Sequence, residues 1–266
     1  MMPLIDFHTH HHTHDASNIV TITSLDYSEY HNQDLSQDLS VSGPLSFYSI
    51  GLHPWFLEPN LQQHNQSTNL LHAQNINALE QLMQNLWQIA QNERVIAIGE
   101  CGLDRHYGSK NPSTLHWNSP DSLATTIDLP LQMLAFSAQI ELSETLQKPL
   151  IIHCVKAFNE LINLKQKHRP RMPWLVHGFD KKDDLRRSLA QHGIKVSFGA
   201  SICQPKGLIQ SVIAAVPLEQ LFLETDAQTK FTIKEIYQRA ALIKQVAVEQ
   251  LQEQLWQNFT SLFNYG

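Results

Sequence analysis

The chain has 266 residues, of which 42% are hydrophobic, and this size fits one large domain or two small ones. Its net charge of −6 argues against a broad electrostatic surface for nucleic acid, although a phosphate ester could still be held locally by metal ions. Three scattered cysteines, the absence of a signal-peptide pattern and the absence of a membrane-length apolar run predict a cytoplasmic protein that does not enter the membrane.

Short apolar runs recur along the chain, each bounded by polar or turn residues. In order they are Leu4–Phe7, Ile19–Ile22, Leu45–Leu52, Arg94–Ile98, Pro149–Ile152, Trp174–Val176, Ile194–Phe198 and Gln220–Leu223. Runs this short, rich in Ile, Val and Leu, are typical of strands that are buried on both faces. Amphipathic stretches of helical length lie between or after the later runs, at Ile76–Ile89, Leu131–Leu146 and Ile233–Leu251. This alternation predicts an α/β fold, a (β/α)8 TIM-type barrel.

The connections near the start of the chain are irregular. His11–Asn18 is too short for a crossover helix, and the polar stretch Leu25–Gly43 supports at most a short one. We therefore expect a barrel that is distorted, or lacks helices, in its first units. Asn60–Asn77 reads as a surface loop, and the long polar segment Arg105–Asp128 is of the kind that is usually functional or mobile.

Residues with metal-ligand chemistry follow most of the apolar runs. Because catalytic groups of such barrels lie at the C-terminal ends of the strands, these side chains are expected to meet at one mouth. They are His8 and His10 after the first run, His53 after the third, Glu100 after the fourth, His153 after the fifth, His177 after the sixth, and Asp226 after the eighth. Strand alternation also places His8 and His10 on one face, whereas His11, His12 and His14 are expected to be loop residues.

Each of these residues also has an ordinary explanation. Glu100 could cap a helix or pair with a cation, His153 and His177 could be core histidines bonded to backbone, and Asp226 could cap the next segment. The flanking Gly99 and Gly102 favour a buried, close-packed site at Glu100 instead. The recurrence of ligand-type side chains at strand ends favours a divalent-metal site.

The neighbouring residues receive supporting roles. His53 could simply start a turn before Pro54, but we expect it to contact substrate, while Lys156 is either solvated or a phosphate contact. Asp6 shares the parity of His8 and is expected to support the histidines. Glu224 is expected to point away from the site.

Taken in order, these motifs resemble the TatD-like metal-dependent hydrolases, a family of amidohydrolase-type barrels. The resemblance covers essentially the whole chain and implies a single domain over residues 1–266 with two divalent cations, Zn, Mg or Mn. The motifs that carry it are His8-Thr9-His10, Gly51-Leu52-His53-Pro54, Gly99-Glu100-Cys101-Gly102-Leu103-Asp104, Ile152-His153, Val176-His177-Gly178-Phe179 and Glu224-Thr225-Asp226. By this likeness six residues would hold the ions: His8, His10 and Asp226 one, His153 and His177 the other, with Glu100 bridging.

Two departures from the family pattern lie near the expected substrate pocket. Asp226 is followed by Ala227-Gln228 where the family commonly has Ser or Ala and then Pro. After His153 the chain reads Cys154-Val155-Lys156, where an Arg-Asp pair is usual. The metal centre therefore matches the family better than the substrate pocket does.

These residues predict a monomeric hydrolase that acts on DNA or a small phosphoester. The expected reaction is attack on a phosphodiester by water activated between two metal ions, with Asp226 and Glu100 as catalytic residues and His53 and Lys156 as substrate-binding residues. One alternative is a hydrolase of a small ester, lactone, amide or phosphoester on the same centre, which the acidic net charge favours. Another is a barrel that binds a ligand without turning it over.

Overall fold

The strands form one parallel sheet. They are β1 (Leu4–Thr9), β2 (Ile19–Asp26), β3 (Ser46–Gly51), β4 (Val95–Asp104), β5 (Leu150–Val155), β6 (Trp174–Val176) and β7 (Ile194–Val196). In this computed structural model, which describes residues 2–11, 18–27, 45–57, 73–105, 129–204 and 207–265, the seven strands pair side by side in chain order. Every neighbouring pair is parallel, as expected for short apolar strands that are covered on both faces.

An eighth segment closes the sheet between its two edges. Leu223 forms an isolated parallel bridge with Phe198 beyond β7, and Asp226 forms another with Thr9 of β1. The predicted eighth strand, Gln220–Leu223, is therefore wrong in detail, because Gln220 ends a 3-10 helix and the pairing that follows is limited to bridges. The predicted distorted (β/α)8 barrel is confirmed.

Helices follow most of the later strands. Their bounds are α1 (Ala73–Ala90), α2 (Leu129–Leu146), α3 (Phe158–His168), α4 (Asp183–Gln191), α5 (Leu208–Ala215), α6 (Ile233–Lys244) and α7 (Val248–Phe263). Two predicted helices correspond to α1 and α2, whereas α3, α4 and α5 were not among the predicted stretches. The predicted single helix Ile233–Leu251 is wrong, because Gln245 adopts a left-handed conformation with φ of 56° and ends α6 there.

The predicted irregular segments fall largely outside the described residues. This applies to residues 12–17 with His12 and His14, to 28–44, to 58–72 and to 106–128. The expected loop Asn60–Asn77 is wrong at its end, since α1 begins at Ala73.

The outer face of β1 packs against the C-terminal helix. Phe7 is fully buried, and its ring lies edge-on to Phe222 at 4.9 Å and 6.3 Å from the ring of Phe259 on α7. Since side chains alternate along a strand, the burial of Phe7 on this face turns His8 toward the barrel interior. None of the described helices combines the length and apolar composition that a bilayer crossing requires.

Candidate metal centre

His8 lies near the end of β1, His10 follows the strand directly, and their rings turn toward the same point. Their ring centroids are 5.0 Å apart, and their Nε2 atoms lie 3.7 Å and 3.6 Å from Oδ1 of Asp226. The backbone amide of Asp226 donates to the carbonyl of His8 at 2.9 Å, so the closing segment holds this carboxylate beside the histidines. The three side chains offer ligand atoms within 4.8 Å of one another, an arrangement that could hold a metal ion.

Glu100 lies between two groups of imidazoles. Its Oε2 is 3.4 Å from His8 Nε2 and 3.3 Å from His10 Nε2, while its Oε1 faces three other histidines. These are His177 at 2.8 Å, His153 at 2.9 Å and His53 at 3.0 Å. Burial by itself would raise the pKa of Glu100, but the surrounding imidazoles, His177 first, hold that pKa well below its ordinary value. The carboxylate is therefore ionised, and each of its oxygens serves a separate set of nitrogens.

Close packing of β4 on β5 brings Glu100 to this position. β4 runs through to Asp104, well beyond the predicted Arg94–Ile98, and its pairing with β5 shifts register between Ile98 and Cys101. Gly102 has φ of 134°, and a Cβ atom there would lie 2.1 Å from the carbonyl oxygen of His153. No side chain fits at that position, which agrees with the close-packed site expected around Glu100.

His153 lies between two carboxylates. Its Nδ1 faces Glu100, and its Nε2 is 2.9 Å from Oδ2 of Asp104. The indole Nε1 of Trp55 donates to the same Asp104 oxygen at 2.8 Å. The two ring nitrogens of His153 therefore contact two different carboxylates, those of Glu100 and Asp104.

His177 is supported from behind by Glu224, which was expected to point away from the site. The Glu224 carboxylate lies 3.9 Å from His177 Nδ1, accepts a hydrogen bond from the amide of Gly178 at 2.6 Å, and bonds to the hydroxyl of Ser197. Burial raises the pKa of Glu224 to about 8. The expectation was wrong because the Gly178 amide and the Ser197 hydroxyl, which belong to distant segments, hold Glu224 on this side.

His53 is buried against Glu100, and its hydrogen bonds determine which ring nitrogen carries the proton. Its Nδ1 accepts a hydrogen bond from the amide of Trp55 at 3.1 Å. In a neutral imidazole the other nitrogen then carries the proton, so Nε2 donates to Glu100 at 3.0 Å. Lys156, by contrast, is exposed just after β5 with φ of 54°, and its contact with a phosphate stays a prediction.

Asp6 holds the chain that carries Asp226. Its carboxylate accepts hydrogen bonds from the amide and the hydroxyl of Thr225, at 2.9 Å and 2.6 Å. Burial raises the pKa of Asp6 to about 7. Asp6 was expected to support the imidazole rings, but it instead binds Thr225 and so holds the closing segment in place.

The donor set fits divalent cations. Both ring nitrogens of His8 are buried, and among the described residues neither finds a hydrogen-bond partner. Burial lowers the pKa of His8 to about 4, so the ring is neutral at pH 7 and keeps a lone pair. Buried polar atoms are normally satisfied, and mixed imidazole and carboxylate donors suit Zn, Mn or similar ions.

Sequence reasoning gave no role to Asp104 or Trp55. Asp104 stands four residues after Glu100 on one strand, so its parity alone places it on the same face. The role of Trp55 depends on a contact with a distant strand, for which local sequence carries no signal.

Comparisons with known proteins agree with this architecture. The family model described as TatD related DNase matches residues 5–264. An uncharacterized metal-dependent hydrolase of Buchnera aphidicola is 25% identical over 181 residues, covering 67% of this chain and 55% of that protein. The deoxyribonuclease Tat-D of Schizosaccharomyces pombe is 26% identical over 212 residues, covering 64% of this chain and 62% of that protein. The chain thus spans less than two thirds of the length of these curated relatives.

A solved structure with a similar fold covers nearly the whole chain. A TatD homologue from Escherichia coli K12 superimposes with a TM-score of 0.73 at 21% identity, covering 98% of both chains. At this identity the likeness shows the fold alone, whereas the family model rests on sequence along nearly the full length. The chain therefore belongs to the TatD related DNase family.

Proposed function

We propose that this protein is a hydrolase that uses two divalent cations to cleave phosphodiester bonds in nucleic acid. The observation that carries the proposal is the division of Glu100, whose Oε2 faces His8 and His10 while Oε1 faces His153 and His177. A carboxylate whose two oxygens face separate groups of histidines is suited to bridge two metal ions. His8, His10 and Asp226, whose ligand atoms lie close together, would complete the site of one ion. His153 and His177, at 2.9 Å and 2.8 Å from Oε1, would complete that of the other.

Bound divalent cations would supply acidity to a water molecule and neutralise charge on the phosphoryl group. The protein's own proton acceptor is Asp226, whose side chain is 40% exposed, whereas that of Glu100 is 7% exposed. The water that attacks must come from the barrel mouth, so the exposed carboxylate can reach it while the buried one cannot. We assign Asp226 as the general base and Glu100 as the central ligand.

His53 is the donor for the substrate phosphate. Because Trp55 binds its Nδ1, the Nε2 proton points into the site as a fixed hydrogen-bond donor, not as a lone pair for a metal ion. A phosphate oxygen can take the place of the Glu100 oxygen as its acceptor. Lys156, exposed beyond His153, would add a charge to the same phosphate.

The names of several relatives support a nucleic-acid substrate. The Escherichia coli protein that is 27% identical over 143 residues is named a 3'-5' ssDNA/RNA exonuclease, and it matches 53% of this chain. Since this chain carries a net charge of −6, an extended duplex would meet little attraction. We therefore propose that the substrate is a single strand or a strand end, held at a few phosphates.

The test is hydrolysis of a labelled single-stranded oligonucleotide with Mg²⁺, Mn²⁺ or Zn²⁺, before and after chelation. We expect cleavage that chelation abolishes, and an Asp226→Asn variant slower by about 10²–10⁴-fold, because a general base contributes that much. Glu100→Gln is expected to bind less metal, with the exposed Glu80→Gln as a matched control. Full activity in the Asp226 or Glu100 variant would contradict the assignment.

A substrate panel separates the proposal from its alternative. Small esters, lactones and p-nitrophenyl phosphoesters are assayed beside the oligonucleotide under the same metal conditions. Chelation-sensitive turnover of these small compounds, with the oligonucleotide left intact, would show that nucleic acid is the wrong substrate class.

We also propose that residues 1–266 form one domain that acts as a monomer in the cytoplasm. In support, the described elements contribute to one hydrophobic core cluster, and Cys101, Cys154 and Cys203 are all unpaired. Light scattering of the purified protein tests the monomer, and a dimer mass would refute it.

A further inference from the structure

Asp104 ends β4 as a buried carboxylate beside the site. It lies four residues beyond Glu100, and 2% of its surface is exposed. Its Oδ2 lies 2.8 Å from Trp55 Nε1 and 2.9 Å from His153 Nε2. Removing a carboxylate from water is unfavourable unless it is paired. At this position the two ring nitrogens serve as partners, so the burial of Asp104 depends on Trp55 and His153.

The indole partner determines the direction of these hydrogen bonds. Trp55 Nε1 can only donate, so Asp104 Oδ2 accepts in that contact. An oxygen that accepts from the indole can accept from His153 as well, which assigns the proton of the imidazole to Nε2. His153 Nδ1, 2.9 Å from Glu100 Oε1, is then the nitrogen that would offer its lone pair to a metal ion bound at the centre.

The backbone of Asp104 is clamped by helix α2. The side chain of Gln132 accepts from the Asp104 amide at 2.8 Å and donates to its carbonyl at 3.1 Å. Gln139, two turns later on the same face of α2, forms the same pair of hydrogen bonds with Leu52. Its side chain accepts from the Leu52 amide at 2.8 Å and donates to the Leu52 carbonyl at 3.2 Å. These glutamines hold the residues on which the orientation of His153 and His53 depends.

We propose that Asp104 is a positioning residue that fixes the tautomer and orientation of His153, so that His153 Nδ1 faces Glu100 and is available to a metal ion. The inference rests on the proposed metal centre. A carboxylate that receives the second N–H of a ligating histidine makes the imidazole a better donor and fixes its ring, and loss of such a partner typically weakens metal affinity or activity by 10–100-fold.

The first experiment compares Asp104→Leu with Asp104→Asn in a Zn²⁺ titration of chelator-stripped protein against a chromophoric chelator. Leucine removes the acceptor at similar size, whereas the amide oxygen of asparagine can still accept from His153 and Trp55. We expect Asp104→Leu to weaken binding of one of the two ions by about 10–100-fold, and Asp104→Asn to retain most of the affinity. The exposed Asp184→Leu is the matched control for loss of a carboxylate.

The second experiment reads the tautomer directly. The ¹H–¹⁵N spectrum of histidine-labelled, Zn²⁺-loaded and metal-free protein should contain a protected His153 Nε2–H signal, assigned by its loss in His153→Gln. The signal is expected to persist in Asp104→Asn and to disappear in Asp104→Leu. Thermal unfolding shows whether Asp104→Leu is folded. If it is not, the wild-type and Asp104→Asn spectra still show whether His153 carries its proton on Nε2.

The outcomes separate the two proposals. Wild-type protein that binds no Zn²⁺ would refute the metal centre, and the metal-free spectrum would still test the tautomer. Two ions bound with unchanged affinity in folded Asp104→Leu, or a wild-type His153 protonated only at Nδ1, would overturn the role of Asp104 while leaving the proposed function intact.

Discussion

Gly102 offers a direct test of how β4 and β5 position the site. In Gly102→Ala the new Cβ would lie 2.1 Å from the carbonyl oxygen of His153 and 3.0 Å from the side chain of Ile152. An ordinary contact begins near 3.4 Å, so the strands must separate by about 1 Å. The φ of 134° adds strain for any residue with a Cβ.

The expected loss in the free energy of unfolding is about 3 kcal/mol or more. Backbone strain contributes about 1–3 kcal/mol, and the displaced β4–β5 hydrogen bonds each contribute about 1 kcal/mol. For a chain of this size that loss lowers the melting temperature by about 6–12 °C. Because a catalytic group misplaced by about 1 Å can reduce the rate about 10²-fold, activity should fall further than stability explains.

Urea denaturation and calorimetry measure the effect, with two other glycines as controls. Gly193→Ala introduces the positive-φ strain alone, since nothing lies within 4 Å of its Cβ at φ of 69°, and about 1–2 kcal/mol is expected. At Gly207 the added Cβ meets its nearest neighbour at 3.6 Å, and a change within about 0.5 kcal/mol is expected. The reasoning is refuted if Gly102→Ala loses no more stability than Gly193→Ala.

Three further predictions concern the site and its support. His53→Asn should retain bound metal, measured by plasma mass spectrometry, but lower kcat/KM on oligonucleotides by about 10-fold or more because a charge-assisted donor to phosphate is lost; loss of metal would instead make His53 a ligand. Glu224→Leu should destabilise folding by about 1–3 kcal/mol in urea, since the buried hydroxyl of Ser197 and the amide of Gly178 lose their acceptor, and an unchanged midpoint would show that these bonds are dispensable. Thr232→Ala removes the capping box formed with Glu235 and should lower stability by about 0.5–2 kcal/mol with activity unchanged; a change in activity would contradict a purely local role.

The sequence alone identified the residues that meet at the centre, because each follows an apolar strand. In a parallel barrel all strands end at one mouth, so side chains far apart in the chain converge without any need to know the distances between them. The same rule of alternation pairs His8 with His10 and also places Asp104 on the face of Glu100. Alternation does not place Glu224, because Asp226 adopts a left-handed backbone with φ of 56° and the segment there is not extended.

Only the tertiary structure decided how these groups contact one another. Which oxygen of Glu100 faces which histidine, which nitrogen of His153 carries the proton, and whether Asp6 binds a ring or Thr225 all depend on packing between segments more than forty residues apart. The break of the last predicted helix at Gln245 likewise follows from a left-handed residue in a sequence whose apolar period continues past it. Periodicity reports which face of an element is buried, whereas hydrogen-bond partners and helix ends are selected by the neighbours that the fold brings together.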